Sequence, residues 1–482
     1  MKIGRTVGDT LVATPVLGRL FAKGQMHFRR RRQRRKDRAL ARSSAHEAAP
    51  APPAPAPPAP AEPPPAPPPP RQTVQAWLDE RRGLHRPLNI FSAPSDRPRL
   101  SIVTDSVGES SLFGGVGTAL VLGTLVANRM GAVLRLVTRT ERPDPGALGT
   151  VLSAAGVELL QPFEAVHVPW QGGRDLAVSE QDFFLSTSWW TTRGLLSSVR
   201  RDRLCYILQE DERMFYPFGD ERLRCQETLA EPGVFVAINT RLLHRHLTTG
   251  SHAIPGLAAR SVAFEPAFPG SKLPETPRRH AARSRRQLFF YARPHHARNL
   301  FATGLDAVAT AITRGIFTPR DWDIHLVGRD VPDLEFPCGM QPSGVEKLSW
   351  SDYNAFVRRM DAGFVLMDTP HPSYPPLDLA AAGAAVLTNR HGIKTDLSHY
   401  SANILLADTD RESLVAGLAE LAERARDDEG RAAARAADGI CRDWAKAMEE
   451  TVSRMVSHYE RAAEPATTSA ATVAIRPLSR CG

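Results

Sequence analysis

The sequence predicts an α/β protein of two consecutive Rossmann-like halves facing each other across a cleft, preceded by a disordered basic and proline-rich tail. Three observations lead there. From Arg99 a strand, a glycine-rich loop, a helix and a second strand follow in order, which implies parallel pairing. The same order restarts after a Pro-, Arg- and Ser-rich stretch at residues 269–286. The chain has 482 residues, more than the roughly 100–200 that one domain holds.

The net charge of +9 is a property of the tail. Residues 1–70 carry thirteen Lys and Arg against four Asp and Glu, and the other residues balance to zero. The body therefore lacks the basic excess of a nucleic-acid protein, and no specific nucleic-acid partner is expected. Nine of the tail's cations fall between Arg29 and Arg42, and fourteen prolines lie within residues 49–70. Such a run extends as polyproline II, a spacer about 60–70 Å long. Ahead of it, Leu11, Val12, Val16, Leu17, Leu20 and Phe21 recur at helical spacing, interrupted by Pro15. The expectation is a peripheral contact of this tail with an anionic membrane face.

No stretch offers the roughly 18–20 uncharged apolar residues of a membrane span, and no apolar signal core follows the first charges, so a cytoplasmic protein is expected. The five cysteines are odd in number and widely spaced, which excludes a disulfide framework or structural zinc site from the expectation.

The boundaries follow the pattern. Residues 71–98 are a lead-in and 99–268 the first half, with strands expected in "RLSIVTDSV", "AVLRLVTRT", "DFFLSTSWW", "RLCYILQ", "VFVAINT" and "SVAFEP". Residues 269–286 link it to a second half at 287–440, a terminal helix at 441–460 and a disordered end at 461–482. In that half "QLFFYARP", "DWDIHLVGR", "AGFVLMD", "AAVLTN" and "NILLAD" read as strands.

Four places carry chemistry. Gly114, Gly115 and Gly117 lie in the loop after the first strand, where glycines let a backbone approach a ligand at a helix N-terminus. They also suit a plain tight turn. The dinucleotide fingerprint fails, because Leu120 stands where its third glycine belongs and the second strand ends in basic residues. Arg293 follows a strand at the edge where α/β sheets bind ligands, and a guanidinium there can grip a diphosphate. Arg298 and Asn299 are expected to open the next helix, and the adjacent His295 and His296 read as loop residues. In "HPSYPPLDLAAAG" a strand is expected to end at Asp368. Ser373 and Tyr374 then lead to a helix starting at Pro376, whose N-terminal amides would favour phosphate and whose first turn holds Asp378. Asp408 and Asp410 resemble a metal–nucleotide signature, but their place before an apolar-periodic segment reads as helix capping, so no metal site is assigned.

Together these segments resemble the retaining glycosyltransferase family numbered four. More closely, they resemble bacterial rhamnosyltransferases of surface-glycan assembly, through "FGGVGTAL", "STSWWTT", "QEDERMFYP", "FYARPHHARNL", "EKLSWSDYNAFVRRMD" and "SYPPLDLAAAG" in that order. The resemblance spans roughly residues 99–460. It implies a GT-B fold without metal or other cofactor, with a dTDP-β-L-rhamnose donor held by the second half. It implies Arg293 and Lys347 on the diphosphate as the catalytic cations. Gly114, Gly115, Gly117, Arg298, Asn299, Ser373, Tyr374 and Asp378 would lie around the donor. Two positions depart from the larger family: Pro370 stands where its second glutamate lies, and Asp378 replaces a glutamate.

The expected function is transfer of a sugar to a hydroxyl of a bacterial surface glycan or lipid-linked glycan, retaining and metal-independent. Cations and helix-end amides would stabilise the departing diphosphate. Trp189 and Trp190 are candidates for stacking on the acceptor, or for the core, and Asp211 is a candidate base. Two rival readings are a nucleotide-sugar epimerase of the same architecture, which would release nucleotide without an acceptor, and an interaction protein working through its tail.

Overall fold

A computed structural model describes residues 71–108, 115–271, 285–346 and 348–463. The tail at residues 1–70, Gly114, Lys347, linker residues 272–284 and the C-terminal residues 464–482 lie outside the described residues.

The lead-in is folded. Thr73 caps helix α1 (Val74–Arg81), and strand β1 (Ile90–Ser92) pairs in parallel with a short strand further along. The first half then runs β2 (Arg99–Thr104), α2 (Gly117–Met130), β3 (Val133–Thr138), α3 (Pro145–Ala155), β4 (Phe163–His167), β5 (Leu176–Val178) and β6 (Phe183–Ser186). It continues with α4 (Trp189–Leu196), β7 (Leu204–Leu208), α5 (Asp220–Leu229), β8 (Phe235–Asn239), α6 (Arg241–Thr248) and β9 (Ser261–Phe264). Seven strands form one parallel sheet in the order β4-β3-β2-β6-β7-β8-β9, and β5 is the partner of β1.

Helices cover both faces of that sheet, so central strands bury every side chain, as β7 and β8 do, and read as unbroken apolar runs. Helix α2 sits so close to the sheet that a Cβ at Gly123 would lie 2.4 Å from Ile102 Cδ1. Only glycine allows that approach.

The second half runs β10 (Arg286–Ala292), α7 (Phe301–Thr313), β11 (Trp322–Gly328), β12 (Ser343–Glu346), α8 (Trp350–Val357), β13 (Ala362–Phe364), α9 (Tyr374–Ala381), β14 (Ala385–Asn389) and β15 (Ile404–Ala407). Helices α10 (Arg411–Arg426) and α11 (Asp428–Ala436) follow. The sheet is parallel with order β12-β11-β10-β13-β14-β15, the doubly wound pattern. Asp410 accepts from Ser413 N at 2.9 Å, capping α10.

The last helix, α12 (Trp444–Ala463), returns to the first half. Its Met448, Val452, Met455 and Tyr459 share one core with Leu120 and Phe183, and Tyr459 donates to the Phe184 carbonyl at 2.9 Å. Chain crossing therefore ties the two halves together at both ends of the second one.

Several boundaries differ from expectation: β10 begins at Arg286, inside the expected linker, and the terminal helix runs Trp444–Ala463 where 441–460 was expected. Strand β6 stops at Ser186, because Ser188 and Thr191 form a capping box that starts α4 at Trp189. Strand β13 ends at Phe364, not Asp368. Helix α9 starts at Tyr374, not Pro376: Pro375 and Pro376 fit inside its first turn, where an N–H would have no intrahelical acceptor. Arg298 and Asn299 form a separate 3₁₀ turn, and Leu300 at φ 47° breaks it from α7.

Candidate active site in the cleft

In each sheet the strand order reverses once: between β2 and β6 in the first half, and between β10 and β13 in the second. Loops leaving the carboxyl ends of such strand pairs diverge and open a crevice for ligand. The two crevices meet in a cavity of about 300 Å³, lined by Gly117 and Thr118 from α2 and by Tyr291, Arg293, Gly328, Tyr353, Tyr374 and Asp378 from the second half. Its floor comes close to the sheet at Gly328, where a Cβ would lie 1.6 Å from the Ala292 carbonyl oxygen.

Arg293 leaves β10 and enters this cavity. It donates to the Tyr291 hydroxyl at 3.3 Å and to His296 Nε2 at 2.9 Å. Burial and the neighbouring Arg293 push the His296 pKa down to about 3, so that ring is a neutral acceptor. No carboxylate among the described residues pairs with Arg293, so its charge is available to an anion.

Asp378 lies on the second turn of α9, not the first, and is half-buried against Tyr353, whose hydroxyl donates to Oδ2 at 3.4 Å. Burial outweighs this bond and raises its pKa to about 7. A ligand hydroxyl is the kind of donor that would complete its coordination and draw that value down.

The amides of α9 do less than expected. Two of its first three residues are Pro375 and Pro376, which carry no N–H, and Ser373 N is spent on His371 Nδ1 at 2.9 Å. The first turn of α9 therefore offers few amides to an anion. Tyr374 is likewise no free ligand group, because its hydroxyl accepts from Asn239 Nδ2 at 2.8 Å and shares a 2.9 Å hydrogen bond with Thr118 Oγ1. It fastens the second half onto the first.

Other expected site residues are occupied elsewhere. Asn299 is buried, with Nδ2 directed at the Leu366 carbonyl at 3.4 Å and Met367 Sδ at 3.9 Å, so it braces the chain after β13. Gly115 accepts a hydrogen bond from Gln209 Nε2. Arg298 stacks over Phe215 of the first half at 4.5 Å, beside the carboxylate of Glu210. Trp189 is 1% exposed and packs among His85, Trp190 and Tyr216, which removes it from the acceptor candidates. Trp190 is half-buried at the crevice of the first sheet and donates to Asp105 Oδ2 at 2.7 Å.

Asp211 is engaged within the first half. Both its oxygens accept from Arg213 at 2.7 Å, and Oδ2 also meets His246 Nε2 at 3.1 Å. Burial alone would raise its pKa, but these bonds hold it below the usual carboxylate range. Its neighbour Glu210 reaches the second half, its Oε2 accepting from Thr369 Oγ1 at 2.9 Å. Burial raises its pKa, and the Arg298 charge opposes the rise. Glu210, Asp105 and the buried Lys394, which donates to the Met367 carbonyl at 2.7 Å, were not singled out in the sequence. Their one signal was position just after an apolar strand or beside a motif.

Among the described residues no three His, Cys, Asp or Glu side chains converge as a metal site would require, and no helix is long and apolar enough to cross a membrane.

Fold and cleft are those of the GT-B class, two parallel α/β halves meeting at their switch points. Residues 99–241 match the N-terminal domain of the WsaF family and residues 286–419 its C-terminal domain, so the chain carries both WsaF domains, in that order. The O-antigen biosynthesis protein RfbC of Myxococcus xanthus is 30% identical over 243 residues, covering 49% of this chain and 18% of RfbC. The chain thus spans less than a fifth of that relative. The crystal structure of Anabaena Alr3699/HepE in complex with UDP and glucose is similar over 74% of this chain and 99% of its own, at 13% identity and a TM-score of 0.50. Sucrose-phosphate synthase of Thermosynechococcus elongatus covers 76% of this chain at 12% identity, with a TM-score of 0.45.

Proposed function

We propose that this glycosyltransferase moves a sugar from a nucleoside diphosphate donor, dTDP-β-L-rhamnose by its sequence resemblance, onto a hydroxyl of a bacterial surface glycan. The observation that carries the reading is Arg293: a cation with no carboxylate partner among the described residues, at the carboxyl end of β10 beside the switch point, in a cavity shared with Asp378. The name of the Myxococcus relative, an O-antigen biosynthesis protein, supports a glycan product.

Bond by bond, the anomeric C–O bond to the diphosphate breaks, the acceptor oxygen bonds to the anomeric carbon, and the acceptor proton leaves with the nucleoside diphosphate. The negative charge gained by the leaving group is met by Arg293 and, from its motif, Lys347. Asp378 receives hydroxyls of the nucleoside sugar. The reaction is retaining and needs no metal, two cations doing the work a divalent ion does elsewhere. The basic tail holds the enzyme at an anionic cytoplasmic membrane face, where lipid-linked acceptors are displayed.

Thermal unfolding in the presence of UDP, dTDP, GDP and ADP tests this. A ligand at about 100 times its dissociation constant stabilises by about 2.7 kcal/mol. The reading requires one of the four to raise the midpoint, dTDP most, followed by product formation from the matching nucleotide sugar. An absence of stabilisation by all four would refute the donor site. An epimerase would instead convert the donor with no acceptor present.

A further inference from the structure

Six large apolar side chains stand exposed among the described residues, and four of them fall on two neighbouring elements. Val74 and Trp77 lie on α1, Phe218 in the loop before α5, and Leu223 on the first turn of α5. They are 76%, 48%, 92% and 63% exposed. Apolar residues scattered singly over a surface are ordinary, but a group of them bordered by charge marks a contact surface.

Two contacts bring the elements together. His85, in the turn that follows α1, places Nε2 3.3 Å from Glu221 Oε2 on α5. The same carboxylate feels the charge of Arg81, the last residue of α1. Helix α1 buries none of its residues. Its Val74, Trp77 and Arg81 recur at helical spacing and share one face, and the Arg81 guanidinium lies 5.3 Å from the Trp77 ring. Arg222 repeats this arrangement over Phe218 at 4.7 Å. A ring under an arginine presents an apolar body with a cationic edge, a pairing suited to the boundary between lipid headgroups and acyl chains.

What covers this face follows from where the chain enters it. The tail, with thirteen Lys and Arg against four acidic residues, runs directly into Arg71, and α1 opens at Val74. Whatever surface the charge of the tail selects, α1 is the first folded element delivered to it. Residues 71–93 continue the bias, with four Arg against Asp79 and Glu80. The face also adjoins the seam between the halves: Phe215, in the same loop as Phe218, carries Arg298 of the second half over its ring at 4.5 Å.

We propose that Val74, Trp77, Phe218 and Leu223 form a docking face of the first half that seats in the headgroup layer of an anionic bilayer. This rests on the membrane reading of the tail and deepens it by naming the side of the body that lies against the lipid. The two act in series: the charge of the tail recruits, and apolar burial at this face orients. Seated in this way, the enzyme holds the seam beside Phe215 close to the surface on which a lipid-linked acceptor is displayed.

The test is co-sedimentation of the full-length chain, at low salt, with vesicles of phosphatidylcholine containing phosphatidylglycerol. The double variants Phe218→Ser with Leu223→Ser, and Val74→Ser with Trp77→Ser, should each weaken partition about tenfold, with melting midpoint and nucleoside diphosphate affinity unchanged. Both leave every charge in place, so a loss reports the apolar face and not the electrostatics of the tail. Equal partition of wild type and both variants would overturn the proposal, and so would an absence of wild-type partition. If the form lacking residues 1–70 partitions as the full chain does while both variants stay weak, the tail reading fails and this one stands. Equal partition together with a wild-type dimer in analytical ultracentrifugation, lost when all four residues are replaced, would give the face to a second copy of the chain and also overturn the proposal.

Discussion

The hydroxyl of Tyr374, first residue of α9, accepts a hydrogen bond from Asn239 Nδ2 at the end of β8, 2.8 Å away, and so joins the second half of the molecule to the first. Thr118 Oγ1, in the first turn of α2, lies 2.9 Å from the same oxygen. Tyr374→Phe would leave both partners buried without that oxygen. The cost is expected to be about 1–3 kcal/mol in denaturant unfolding. Nucleoside diphosphate affinity should change far less than in Arg293→Ala, because the hydroxyl faces the other half and not the donor. A stability equal to wild type would show that the contact is dispensable.

Asp378 predicts a pH dependence. Its folded pKa is raised to about 7 by burial, from a reference near 3.8. The folded state therefore holds a proton that the unfolded state has lost over this window, and Asp378 lowers stability progressively as pH climbs from about 4 to about 7. Binding runs the other way. If nucleoside hydroxyls donate to the carboxylate, affinity for the diphosphate should rise between pH 6 and pH 8. Calorimetry across that range checks it. Asp378→Asn should lower the affinity and flatten the profile, and a wild-type profile as flat as that of the variant would remove Asp378 from the donor site.

Much of this architecture was readable in advance, for a physical reason. Strands such as Leu204–Leu208 and Phe235–Asn239 are covered on both faces and therefore spell continuous apolar runs. Two of the edge strands do not: β4 is half-buried to exposed and β12 largely exposed, and both carry mixed residues that left no such run. Arg293 was legible because a strand visibly precedes it. The roles of Asn299, Tyr374 and Trp189 were not, since each is set by contacts from segments distant in the chain. In "QEDER" three adjacent acids look alike in one dimension. The turn directs Glu210 to Thr369 of the second half, Asp211 to Arg213 and His246, and Glu212 to the backbone N–H of Trp189.

Metal independence follows from assigning the leaving-group charge to side chains. Transfer should persist in excess EDTA at an undiminished rate. Loss of turnover that manganese restores would contradict the proposed mechanism.

The tail makes a separate prediction. Full-length protein should float with anionic vesicles at low salt, and protein lacking residues 1–70 should not. Salt at about 1 M, where the screening length is about 3 Å, should release it. Identical behaviour of the two forms would remove the tail from the account.

The most direct measurement is calorimetric titration of dTDP and UDP into wild type, Arg293→Ala and Lys347→Ala. The proposed donor site predicts that each substitution weakens binding by about 1.5–3 kcal/mol, the range for a hydrogen bond to a charged group. Wild-type affinity in both variants would contradict it.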